Sequence, residues 1–133
     1  VSVAVIRALL ETALATALPA FPLAYENVPF VPVQGTPYGE VYLLPIEPEN
    51  IEMGPAHIQR GLFQVNLFYP LGEGSGAATA KAETIRAAFA YAATFVSGAV
   101  NVLVTRTPEI GQARPDADYF MVPVRVRFEA RIS

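Results

Sequence analysis

The sequence predicts an α+β domain: a mostly antiparallel five-stranded sheet with two helices packed on one face, in the order α-β-β-β-α-β-β. Three observations carry that expectation. Residues 59–95 pass from alternating apolar and polar side chains, through a glycine-rich turn, to a helical period. Residues 1–18 hold a second helical stripe, and residues 119–132 alternate along their whole length. With 133 residues, 53% of them hydrophobic and 16% charged, the chain can bury one core and is expected to form a single domain over 1–133.

Ser2 can cap a helix from about Val3 to Leu18, because its hydroxyl can accept from an unpaired N–H of the first turn. Ile6, Leu9, Leu10, Ala13, Leu14 and Ala17 make its buried face, and Pro19 and Pro22 stop it. Arg7 and Glu11 inside this pattern make it a domain helix rather than a signal peptide. PLAYE (22–26) is a short strand and Asn27 a turn residue. VPFVPVQGTP has too many prolines for a central strand and reads as an extended arm. YGEVYLLPI (38–46) is the second strand, followed by an acidic, unpatterned loop over 47–58.

The third strand presents Phe63, Val65, Leu67 and Tyr69 on one face and Gln64 and Asn66 on the other. Pro70 ends it, and Gly72, Gly74 and Gly76 reverse the chain. Ala78, Ala82, Ile85, Phe89, Ala92 and Phe95 then form a helical stripe, with Gly98 as its left-handed terminator. AVNVLVT (99–105) is a β-branched strand, and 106–117 a polar loop. The last strand points Phe120, Val122, Val124, Val126, Phe128 and Ala130 inward, against Arg125, Arg127, Glu129 and Arg131. Fully extended it would reach about 45 Å, whereas a body of this size is about 36 Å across. It is therefore expected to bend, with a bulge at Pro123, or to project as a ribbon whose open edge needs a partner.

Catalytic chemistry finds little to stand on. His57 is the sole histidine, cysteine is absent, and no serine sits in a nucleophile elbow. His57 is expected to pack within its loop. Glu47, Glu49 and Glu52 lack the spacing of a calcium loop and read as a solvated acidic loop. Residues 72–77 match G-x-G-x-x-A between a strand and a helix, but Glu73 would oppose a pyrophosphate, and a hinge explains the glycines. No cofactor and no metal is expected. A net charge of −3 gives no electrostatic reason for nucleic-acid binding, and no apolar run is long enough to cross a bilayer. Tyr38, Tyr42, Phe68, Tyr69 and Tyr119 supply aromatic area of the kind that anchors interfaces.

Taken in order, IRALLETAL, AYENVPFVP, GTPYGEVYLLP, RGLFQVNLFYPLGEGSGAATAKAETIRAAF, GAVNVLVTRTP and YFMVPVRVRFEAR make the chain resemble the tail terminator-like proteins of long-tailed phages and prophages. The resemblance implies a structural protein with no catalytic residues, located at the head-proximal end of the virion tail after assembly in the host cytoplasm. It implies a ring, typically a hexamer, that stops tail-tube polymerisation, with a free monomer in solution as the alternative if the ring assembles only on the tube. Its partners would be further copies of itself, the major tail tube protein and the head–tail connector, with DNA only passing through. Another neck or head–tail joining role remains open, as does a small-ligand or nucleotide-binding domain using the 72–76 turn. Candidate contact residues are Phe30 and Pro32 in the arm, Glu73 in the turn, Arg106 and Arg114 in the 106–117 loop, and Arg125, Arg127 and Arg131 on the last strand.

Overall fold

A computed structural model describes every residue except 1, 27, 33, 34, 51, 52, 54, 55, 73–75, 117, 118 and 133, and only the backbone of 2 and 116. The elements are α1 (Ser2–Ala17), β1 (Leu23–Tyr25), β2 (Tyr38–Pro45), β3 (Glu49–Asn50), β4 (His57–Pro70) and α2 (Gly76–Ala88), then β5 (Thr94–Ser97), β6 (Val100–Val104), β7 (Glu109–Ile110), β8 (Arg114–Asp116) and β9 (Tyr119–Ile132). The capping hydroxyl of Ser2 and the turn residue Asn27 lie outside the described residues.

The class is α+β, with two helices, but the sheet has more than five strands and is mixed. Six strands run β1-β2-β4-β9-β6-β5, and among the described residues β3, β7 and β8 add short pairings beside β4 and β9. β1 joins β2 in parallel; every other pairing among the described residues is antiparallel. The loops read over 47–58 and 106–117 thus contain strands, and His57 opens β4, opposite Ile132, rather than packing within a loop.

The spine is the β4–β9 ladder, in register from His57↔Ile132 to Pro70↔Tyr119 without an offset. The bulge expected at Pro123 is therefore absent, and the reason is geometric. Neighbouring N–H and C=O groups of a strand residue point to the same side. The Pro123 carbonyl accepts from Gly111 N–H at 2.8 Å, so its missing donor faces the 109–111 segment and not β4. Nor does β9 project with an open edge. Its second side is met by β8 at 119–121, β7 at 124–125, Thr105 N–H at Arg127, and β6 at 128–132.

The expected helical stripe holds for Ala78, Ala82, Ile85 and Phe89, all buried, and then fails. Helix α2 ends at Ala88, and Ala92 is left-handed with φ 70°. Ala92 N–H donates to Val104 C=O, and Val104 N–H to Ala93 C=O, both at 2.9 Å. Pairing with β6 thus overrides the helical period and turns Phe95 into a strand residue. Gly98, with φ 58°, sits between β5 and β6 instead of ending a helix.

Alternate residues of β4 and β9 face the helices, where Phe63, Val65, Leu67, Val122, Val124, Val126 and Phe128 meet Ile6, Leu10 and Leu14 of α1 in one core. The opposite, outer face carries a second cluster. Tyr38 and Phe68 stack at 4.8 Å, Tyr119 meets both edge-on, Met121 is buried among them, and Phe30 packs against Tyr38 at 5.3 Å. Tyr69 belongs to the main core. The surplus aromatics therefore cover the outer sheet face of their own chain.

Candidate assembly interface

Strand alternation places Arg125, Arg127 and Arg131 on the outer face. Arg127 and Arg131 are exposed, as are Arg106 and Arg114, and these four make no ion pair with another described residue. Arg125 lies 3.4 Å from Glu109, while Arg60, on β4, bridges Glu49 and Glu129. Gln64, Asn66, Gln112, Arg114, Met121, Pro123 and Arg125 line a polar hollow of about 460 Å³. Within it Gln64 Nε2 donates to Asn66 Oδ1 at 2.8 Å. Amides and guanidinium groups of this kind can hold carboxylates or carbonyls of a partner, and they include no nucleophile paired with a base. Among the described residues no three metal-ligating side chains cluster.

Towards β2 the outer face turns acidic. Tyr42 Oη donates to Glu40 at 2.9 Å. Burial, with that carboxylate beside it, pushes the Tyr42 hydroxyl up to about 12. Phe30 and Pro32 line a hollow with Tyr38, Glu40 and Tyr42.

Glu26 ties these layers together. One carboxylate oxygen accepts from Leu43 N–H at 2.7 Å and from Arg7, on α1, at 3.0 Å. It continues along β2 the edge that β1 occupies at Gly39–Val41. Burial pushes the Glu26 carboxyl up, but the Leu43 and Arg7 hydrogen bonds outweigh it and hold the group below its ordinary value of 4.5. A lowered carboxyl contributes stability above its unfolded value and loses it as the pH falls through the folded one. Glu11 opposes this, since burial holds its carboxyl above 4.5 despite Arg7. Urea titrations below about pH 4.5 are expected to show a shallower acid loss for Glu26→Gln than for the parent. Identical slopes would mean that the Glu26 bonds do not persist in solution.

The helix layer has an open side that sequence reasoning assigned to the core. Leu9, Ala13 and Ala17 are only half-buried. With Ala4, Val5, Ala8, Thr12 and Thr16 of α1, Ala88, and Phe95, Val96 and Ser97 at β5, they line an apolar groove of about 880 Å³. The missed signal was the width of the apolar sector. Arg7 and Glu11 are the helix's charged residues and share one side, leaving more apolar circumference than one sheet can cover.

The structure brings some expected contact residues together and separates others. Arg114 and Arg125 share one hollow, and Phe30 and Pro32 another. Arg106 is exposed just beyond β6. Glu73 lies outside the described residues. Residues 73–75 of the glycine turn lie outside the described residues, and β4, which precedes it, is antiparallel to both β2 and β9, unlike the parallel strand that a dinucleotide-binding turn follows.

A family described as "phage tail terminator protein" matches residues 5–128. One solved chain is 28% identical over 96% of this chain and 94% of its own, with a TM-score of 0.79. A chain from the virion of a native gene transfer agent particle shares the fold at a TM-score of 0.56, with 19% identity over 95% of this chain and 92% of that one. No curated protein sequence matches.

Proposed function

We propose a role that starts from kinship: this chain belongs to the phage tail terminator family, whose members are virion structural proteins, and it acts as one domain at the head-proximal end of a tail. There it closes as a ring of identical copies on the last ring of the tube, stops further polymerisation, and offers its other face to the head connector. The family match is the observation that carries this reading. The distribution of surfaces supports it, because a polar arginine-bearing sheet face, an apolar groove and an anchored arm are three different patches on one small body. Different patches meeting head to tail are what a ring of more than two copies requires. DNA would pass through the ring without being read, in keeping with a chain of net charge −3. On this reading the protein has no catalytic role.

Electron microscopy of tails made without the gene tests the proposal. Overlong tails are expected. Tails of normal length that fail to join heads would instead assign the protein to head–tail joining, and normal, joined tails would refute both.

A further inference from the structure

We propose that the groove between α1 and β5 receives the proline-flanked arm of a second copy of this chain, Val28 to Pro32, and that this is the contact which closes the ring. The inference rests on the assembly reading above and names its contact.

The acceptor side is unguarded. β5 is an end strand, paired with β6 alone among the described residues. It carries no charge, proline or bulge of the kind that normally protects a sheet edge. Val96 is 62% exposed, and residues 87–105 contain no charged side chain. The α1 side chains that line the groove are neutral too: Ala4, Val5, Ala8, Thr12 and Thr16 face it, while Arg7 and Glu11 do not line it and pair with each other at 3.7 Å. An occupant must therefore be apolar, since a charge buried there would find no counter-charge.

The donor has that character. Residues 27–39 contain no charged side chain, in a chain with 21 charged residues elsewhere (9 basic plus 12 acidic). Phe30 fastens the arm to Tyr38 on the outer sheet face, while Val28 and Val31 stand 56% and 86% exposed on either side of it. Pro29 and Pro32 restrict the backbone, which lowers the entropy cost of docking. An arm fastened on the outer face cannot fill the groove of its own chain, which lies on the helix side. The two surfaces are distinct, so their contact is heterologous and can propagate around a ring.

The chain has no cysteine, so cross-linking is clean. Tails carrying the double variant Ala8→Cys/Val31→Cys, once oxidised, are expected to yield a ladder of linked copies ending at the closed ring. Either single variant is expected to remain unlinked. Tails of normal length without a ladder, or dimers from Val31→Cys alone, would overturn the contact. As a second measure, Ala8→Glu is expected to leave thermal unfolding of the free chain unchanged and to reduce its incorporation into tails by at least about tenfold. Full incorporation of that variant would also overturn the proposal. Gene deletion separates the two failures: normal tails on deletion defeat the terminator reading, whereas the ladder reports copy-to-copy contact either way.

Discussion

Replacing Phe63 with alanine is expected to cost about 3–5 kcal/mol of folding stability, the range for truncating a fully buried aromatic residue. Phe63 has no exposed surface and sits on β4 between its partners Leu43 and Val126. Its ring centroid is 5.7 Å from that of Phe89, which is 5.6 Å from that of Phe95. This row of rings joins the spine to the residue just past α2 and to the end strand β5. A cavity at Phe63 therefore loosens three elements at once, and one of them forms a wall of the groove. In urea the midpoint should fall while the slope stays constant, because the surface exposed on unfolding is nearly unchanged. A loss below about 1 kcal/mol would mean that the neighbouring rings collapse into the space, and that this row does not fix the position of β5.

The same row shows why part of the fold could be read from the sequence and part could not. Alternation in 59–70 and 119–132 is a property of each strand alone, and both strands appear there, although β4 starts two residues earlier, at His57, inside the stretch that reads as an acidic loop. Phe95 follows Phe89 by six residues and Ala92 by three, so spacing by itself could not separate the last turn of a helix from a strand. The Val104 backbone decided it, and that residue is remote in sequence. The two- and three-residue strands β3, β7 and β8 exist only through their long partners and have no period to detect. Pro123 looked like a break because the sequence does not reveal which side of β9 its nitrogen faces. The candidate interface was partly legible for a similar reason. Arginines on one strand face follow from period two, whereas the groove depends on how much of α1 the sheet leaves uncovered.

Gly61→Ala is expected to cost about 1–3 kcal/mol, as overpacking of a tight core does. Gly61 lies opposite Phe128 in the β4–β9 ladder. A Cβ placed there would come within 2.6 Å of Phe128 Cζ and 3.0 Å of the Leu44 carbonyl oxygen. The ring is nearly fully buried in the main core, and the carbonyl is backbone, so neither yields easily. The strain would fall on the spine where Leu62 pairs with Arg127, so a shift large enough to relieve it would also move the arginine face. Shortening the obstacle tests this account. Phe128→Leu alone should destabilise the chain, yet Gly61→Ala/Phe128→Leu should be more stable than the sum of the single losses predicts, by about 0.5–3 kcal/mol. Additive losses would place the cost of Gly61→Ala in the backbone near Leu44, and the Phe128 ring would then not be what keeps position 61 free of a side chain.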